Sequence, residues 1–277
     1  MNKLLPLQAQ YIVVGNPINH SKSPAIHSLF AHQTRQQLIY RAQLFPLDSF
    51  SDGVDRFIKI GGLGMNITVP FKQQAFAKAD VLSSSAALAG AVNTLSFKTD
   101  GIYGENTDGV GLVKDLTVNN RVPIKDQDIL IIGAGGAVRG VLEPIIAQQP
   151  KSITIANRTI AKAHDLADVF EHLFQIKVCE YSQLRDNYNI VINGTSSSLN
   201  GELPAIPKLG FNDQTIFYDM MYSKEITLFN QWGIELGIGR TFDGLGMLVE
   251  QAAEAFRIWR GVSPDTKYII SQIRSQL

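Results

Sequence analysis

Short apolar runs alternate with stretches of helical spacing along the whole chain, a pattern that predicts an α/β fold built on mostly parallel sheets. Tyr11–Gly15 reads as a first strand, followed by the loop NPINHSKSP and a helix starting at Pro24 with Ser23 as its N-cap. Leu38–Leu44 predicts a second strand, Phe50–Ile60 a helix ending at Gly61-Gly62, and Leu63–Val69 a third strand. Pro70 suits the first position of the next helix, which places Lys72 in its first turn. Ala91–Phe97 and Ile102–Glu105 read as a hairpin around Thr99-Asp100-Gly101, and Val110–Val118 as a helix.

A second α/β pattern begins at Asp128. Ile129–Ile132 is an apolar strand, GAGGAVRG leads into a helix, and Ser152–Ala156 is the next strand. Ile176–Glu180, Ile190–Ile192 and Thr215–Asp219 are further strands, and Gly194–Gly210, rich in Ser, Gly and Pro, reads as loop. Leu245, Leu248, Val249, Ala252, Ala255, Phe256 and Trp259 then recur on one helical face. The change of pattern at residues 109–128 marks a domain boundary, and 277 residues suffice for two cores.

Composition narrows the function. Hydrophobic residues make up 45% and charged residues 18%, as in a well-packed globular protein. Basic and acidic residues both total 25, with no basic tail or stripe, which argues against nucleic acid or an anionic membrane as partner. The opening MNKLLPLQAQYIVVG has too short an apolar run for a signal peptide, and no later run approaches a membrane span. The lone Cys179 suits a reducing compartment, so a cytoplasmic location is expected. The five histidines form no HxxxH pair, and no metal is expected.

The GxG of DILIIGAGGAVRG stands between a strand and a helix. There Gly133 permits a tight turn, Gly135 lets backbone approach a pyrophosphate, and the helix N-terminus faces the negative charge. The third glycine of GxGxxG is replaced by Val138, and Gly136 adds a second position without a side chain. After the following strand comes Asn157-Arg158-Thr159, with Lys162 four residues beyond Arg158. An NAD site usually carries a carboxylate there; cations in its place favour the extra phosphate of NADP.

Lys72 poses a question, because a cation opening a helix is disfavoured by about 0.3–1 kcal/mol. A partly desolvated lysine near a carboxylate could hold a proton and release it near neutral pH. Asp108, in GENTDGVG, is the candidate carboxylate, although Thr107 or Asp108 also suits a plain N-cap. Ser21, Ser23, Thr68 and Asn93 lie at other predicted strand ends, where open α/β sheets bind ligands. Hydroxyls, an amide and a lysine–aspartate pair suit a small ligand with a carboxylate and several hydroxyls.

These residues resemble one family, the shikimate dehydrogenases. The match rests on GNPINHSKSPAIH, NITVPFKQQAF, LAGAVNT, GENTDGVG, IIGAGGAVRG, NRTIAKA and FDGLGMLVEQAAEAF, in the family's order and over nearly the whole chain. The resemblance implies an N-terminal substrate-binding α/β domain (1–108 and 245–277, the final helices returning to it) and a Rossmann-type NADP-binding domain (109–244). It implies reversible, NADPH-dependent reduction of 3-dehydroshikimate to shikimate, in the pathway to chorismate and the aromatic amino acids, with substrate in the interdomain cleft. Lys72 and Asp108 then resemble the catalytic pair. Ser21 and Ser23 resemble the hydroxyls for the substrate carboxylate, and Thr68, Asn93, Asp108, Tyr222 and Gln251 further substrate contacts. Gly133, Ala134, Gly135, Gly136 and Ala137 would hold the pyrophosphate, and Asn157, Arg158, Thr159 and Lys162 the adenosine ribose and its phosphate. Met220 and Gly244 are similar to residues near the nicotinamide.

The chain departs from the family pattern at four positions. Val138 stands where relatives often carry a small or hydroxyl residue, Lys162 often corresponds to Arg, and NGTSSS replaces the commoner NATSSG, making Gly194 and Ser198 unusual. A quinate/shikimate dehydrogenase using NAD is the rival within the class; its signature would be an acidic residue where Arg158 stands. A non-catalytic dinucleotide-binding regulator is the rival outside it, and would be expected to have lost Lys72, Asp108 or the SKSP serines. Oligomeric state stays open, a homodimer included.

Overall fold

The computed structural model describes residues 8–184, 187–195, 197, 202–207, 211–212 and 214–277. The start of the opening apolar run, Ser198 and parts of the loop read at 194–210 lie outside the described residues. The contacts divide the chain into two compact units: residues up to Thr107 with Ala252–Ile273, and Asp108–Gln251 with Arg274–Leu277.

The first unit contains β1 (Ala9–Gly15), α1 (Ser23–Gln33), β2 (Leu38–Leu44), α2 (Phe50–Lys59), β3 (Gly62–Ile67), α3 (Lys72–Lys78), β4 (Val81–Leu82), α4 (Ser84–Ala89), β5 (Thr94–Lys98) and β6 (Gly101–Glu105). Its six-stranded sheet has the order β2-β1-β3-β5-β6-β4. The strands β1, β2 and β3 pair in parallel, while β5 pairs antiparallel with both β3 and β6. Phe50, Val54 and Phe57, at helical spacing on α2, pack with Ile12, Val14, Met65, Ile67, Phe71 and Leu95 into its core. The sequence pattern matched β2 residue for residue.

Two helix starts differ from expectation. The first helix begins at Ser23 with Lys22 as N-cap, so Ser23 is its first residue and not its cap. Its N–H meets the Ser21 hydroxyl at 3.3 Å, and that local bond lets the helix start one residue early. The third strand stops at Ile67, and Pro70 is not helical. It lies in a turn closed by the Phe71 N–H on the Thr68 carbonyl at 3.0 Å, so Lys72 is the first helical residue.

The second unit begins with α5 (Asp108–Lys114), which runs into a π-helical turn at Asp115–Asn119. It continues through β7 (Asp128–Ile132), α6 (Gly136–Ile146), β8 (Ser152–Ala156), α7 (Ile160–Phe170), β9 (Lys177–Cys179), β10 (Ile190–Asn193), β11 (Ile216–Asp219), α8 (Leu228–Glu235) and β12 (Arg240–Asp243). The sheet is parallel throughout, in the order β12-β11-β10-β7-β8-β9. That is the doubly wound Rossmann order, with the reversal of winding between β7 and β10.

The last helices are α9 (Leu245–Arg260) and α10 (Thr266–Arg274). The division between units falls inside α9, after Gln251. Within the first unit the C-terminal end of α9 lies on the sheet. The Trp259 indole N–H donates to the Leu95 carbonyl at 3.1 Å, in space kept by Gly64, where a Cβ would lie 2.5 Å from that nitrogen. No helix among the described residues is long and apolar enough to cross a membrane.

Candidate functional site

In the first unit the chemistry-bearing residues gather where β1 and β3 end. Gly15 permits this, because a Cβ there would lie 2.5 Å from Thr68 Cγ2. Two backbone bonds close the contact: Thr68 N–H to Val14 O at 2.9 Å and Asn16 N–H to Val69 O at 3.0 Å. The β1 exit, leading to Ser21 and Ser23, is thereby tied to the β3 exit carrying Thr68. Lys72 opens α3, and its carbonyl accepts the Val92 N–H at 3.0 Å, so the lysine's backbone is bonded beside Asn93.

Asn93 is buried inside a chain of hydrogen bonds that the sequence pattern does not announce. The Tyr40 hydroxyl, on β2, donates to Asn66 Oδ1 at 2.6 Å, and Asn66 Nδ2 donates to Thr94 Oγ1 at 3.0 Å. Thr94 Oγ1 donates to Asn93 Oδ1 at 2.9 Å, and Asn93 Nδ2 donates to Thr107 Oγ1 at 3.0 Å. Asn93 Oδ1 also receives the Thr107 N–H at 2.9 Å. These directed bonds lock the Asn93 amide in one orientation. Burial drives the Tyr40 hydroxyl pKa well above the phenol range, so it stays a donor; a bond from Ser23 opposes this weakly. The available signal was the presence of Asn66 and Asn93 within or beside apolar strands, since a buried amide requires partners.

His27, on α1, stacks on the Tyr40 ring with centroids 4.0 Å apart. It is 1% exposed, and neither ring nitrogen has a hydrogen-bond partner of good geometry. Burial lowers its pKa to about 3, against a weaker opposite pull from the Asn66 side chain, and the ring is neutral.

The second unit holds the remaining candidates. Gly133, at φ +108°, turns the chain after β7, and its N–H is bonded to the Ala156 carbonyl at 2.8 Å. A Cβ at Gly135 or Gly136 would meet nothing within 4 Å. The first turn of α6 therefore presents Gly135, Gly136 and Ala137 with no acidic residue and an open glycine surface, a cradle that fits a pyrophosphate. Beyond β8, Asn157 Nδ2 closes its turn on the Thr159 carbonyl at 2.8 Å. Arg158 and Lys162 are exposed beside it, and α7 has no acid in its first turn. That donor set fits the additional phosphate of NADP.

Met220 follows β11 and meets Gly244, where a Cβ would lie 2.2 Å from the Met220 carbonyl oxygen. Tyr222 is half-buried, and burial, then Asp243, raises its hydroxyl pKa. Asp108 opens α5, where a carboxylate suits the helix dipole. Glycines set that helix closely against its neighbours. A Cβ at Gly109 would lie 2.7 Å from the Gly140 carbonyl of α6, and one at Gly111 2.8 Å from Gln251 Cβ of α9. Asp108, the α6 cradle and Gln251 thus belong to three helices packed together in one unit, while Ser21, Ser23, Thr68, Lys72 and Asn93 belong to the other.

Sequence reasoning missed one further cluster in the second unit. The Tyr218 hydroxyl donates to Asp115 Oδ2 at 2.7 Å, and Asn119 Nδ2 bridges Asp115 Oδ1 at 3.0 Å and Glu250 Oε1 at 2.9 Å. Burial raises the Asp115 pKa, and the bonds from Asn119 and Tyr218 oppose the rise. This cluster joins the turn after α5, the strand leading to Met220, and α9.

Comparison with known proteins supplies family matches along the chain. Residues 13–95 match the shikimate dehydrogenase substrate binding domain, 116–201 the shikimate/quinate 5-dehydrogenase model, and 244–274 the shikimate 5'-dehydrogenase C-terminal domain. A shikimate dehydrogenase (NADP(+)) of Vibrio cholerae is 53% identical over 269 residues, 97% of this chain and 96% of that protein. Its counterpart from Marinobacter nauticus is 52% identical, covering 96% and 98%. Among solved structures, an Ael1 enzyme from Pseudomonas putida superposes with a TM-score of 0.91 at 45% identity, covering 95% of this chain and 97% of that one. Shikimate 5-dehydrogenase from Thermus thermophilus, solved with NADP(H) and shikimate, gives 0.86 at 28% identity, covering 97% and 100%.

Proposed function

The chain belongs to the shikimate dehydrogenase family, and from that premise we propose that it reversibly reduces 3-dehydroshikimate to shikimate with NADPH. The observation that carries the cofactor assignment is the open Gly135–Gly136 surface before α6, combined with exposed Arg158 and Lys162 after β8. Gly133–Ala137 hold the pyrophosphate, and Asn157, Arg158, Thr159 and Lys162 hold the adenosine ribose and its 2′-phosphate. Met220 and Gly244 line the nicotinamide end. When bound, NADPH supplies the hydride for the C3 carbonyl of the substrate.

The protein's own task is to hold the acid and to manage the charge that develops on the C3 oxygen. Lys72 donates the proton to that oxygen as it becomes an alkoxide, and Asp108 orients the ammonium and shares its proton. Ser21 and Ser23 bind the substrate carboxylate, and Thr68, Asn93, Tyr222 and Gln251 the ring hydroxyls and their surroundings. An Asn93 amide locked by Thr94 and Thr107 supports this reading, because a pre-oriented amide needs no reorganisation on binding. The reading extends to a cytoplasmic location and to a homodimer, which light scattering would register at twice 30.5 kDa.

Steady-state kinetics of Lys72→Ala test the chemistry. The expected result is a fall in kcat of about 10²-fold or more with NADP still bound, the size usual for a lost proton-transfer group. A kcat near wild type would remove Lys72 from the reaction.

A further inference from the structure

Val138 and Gly194 lie far apart in sequence and meet in space. Gly194 follows the last residue of β10, and its N–H is bonded to the Ile132 carbonyl at 2.9 Å. Its φ lies outside the left-handed range, so its backbone is open to any residue. What excludes a side chain is Val138: a Cβ at Gly194 would lie 2.3 Å from Val138 Cγ2. Carbon atoms attract at about 3.5–4.0 Å and repel steeply at such separations.

The valine cannot give way. Val138 is the third residue of α6 and has no exposed surface. In a helix, a β-branched side chain is confined largely to one χ1 rotamer, so its methyl cannot swing aside. The same Cβ at Gly194 would stand 3.3 Å from Met220 Sδ, and one at Gly133 would stand 3.1 Å from Thr195 Cγ2. The exits of β7, β10 and β11 are therefore in contact at the reversal of strand winding, where doubly wound sheets bind their ligand.

We propose that Val138 and Gly194 are a matched positioning pair: the glycine leaves a space that the valine methyl fills, and together they set the β10 exit and Met220 beneath the cofactor. A side chain at position 194 would clash with the valine, and a smaller residue at position 138 would leave a void, whereas the present pair keeps the floor filled. The proposal rests on the reading of this unit as an NADP site.

The test is a double-mutant cycle with NADP binding measured by calorimetry and melting followed alongside. Gly194→Ala is expected to weaken NADP binding about tenfold, the size of a modest overpacking penalty, and to lower the melting temperature. Val138→Ala alone is expected to lower the melting temperature through the void it leaves, and to weaken NADP binding less than Gly194→Ala does. The double variant recovers binding to within about threefold of wild type. Unchanged binding and melting in Gly194→Ala, or a double variant as impaired as Gly194→Ala, would overturn the pairing. Should Gly194→Ala not fold, a folded, NADP-binding double variant supports the pair and an unfolded one refutes it. Wild-type protein that binds no NADP would instead refute the reading of the nucleotide site, and the melting cycle would then decide the steric pairing by itself.

Discussion

Removal of one hydroxyl, in Tyr218→Phe, should uncouple the turn after α5 from the sheet. Tyr218 has no exposed surface and Asp115 is 3% exposed, with 2.7 Å between hydroxyl and carboxylate. A hydrogen bond to a charged group contributes about 1.5–3 kcal/mol, and among the described residues the Asp115 carboxylate then keeps only its bond from Asn119, so a loss of about 2 kcal/mol at neutral pH is expected. For a unit of this size, that corresponds to a drop of about 4–8 °C in melting temperature. The pH dependence identifies the cause. Burial holds the folded-state pKa of Asp115 above its ordinary value, and Tyr218 is one of the groups opposing that rise. A carboxyl raised in this way contributes stability that is full below the unfolded pKa and is lost as pH rises through the folded pKa. The phenylalanine variant raises that pKa further, so it loses more than wild type at high pH. Thermal melts at pH 4, near the unfolded value, and at pH 8 should show the gap between the two proteins widening at pH 8. A gap that is constant, or larger at pH 4, would overturn this reading.

Other perturbations are equally direct. Burial holds His27 at a pKa of about 3, below the 6.5 of the unfolded chain, so the unfolded state takes up the proton first and stability falls as pH drops below 6.5. Between pH 7 and pH 5 this amounts to about 2 kcal/mol, which denaturant titration of His27→Phe should show to be missing from the variant's pH profile. Gly246→Ala would place a Cβ 1.9 Å from the bonded Asp115 carboxylate, and melting should reveal a loss of about 3 kcal/mol or failure to fold. Arg158→Ala should raise KM for NADP by about tenfold or more while leaving KM for NAD within about twofold, because only the former carries the 2′-phosphate.

Where a segment's own residues decide its structure, the sequence was readable. β2 and β8 coincide with the runs Leu38–Leu44 and Ser152–Ala156. The GxG turn lies between β7 and α6 as the motif requires. Reading failed where a distant partner decides. β4 has two residues and pairs with β6, and β12 is a short polar segment that forms only against β11. The π-helical turn at Asp115–Asn119 read as continuous helix, because Tyr218, which holds Asp115, lies 103 residues away. Pro70 read as a helix start, because proline suits both that position and the turn Thr68–Phe71 in which it lies. At the candidate site, residue types at strand ends pointed to Lys72, Asn93 and Asp108, but the Tyr40–Asn66–Thr94 bonds that orient Asn93 cross three strands and leave no local trace. Val138 and Gly194 were each visible as oddities, and only the fold makes them one feature.

The proposed reaction is a hydride exchange between NADP and the C3 position of shikimate. Absorbance at 340 nm follows it when purified protein is given shikimate or quinate with NADP or NAD in turn. Rapid reduction is expected with shikimate and NADP, and much slower rates with NAD or with quinate. No shikimate-dependent rise with NADP, or a faster one with NAD, would contradict it.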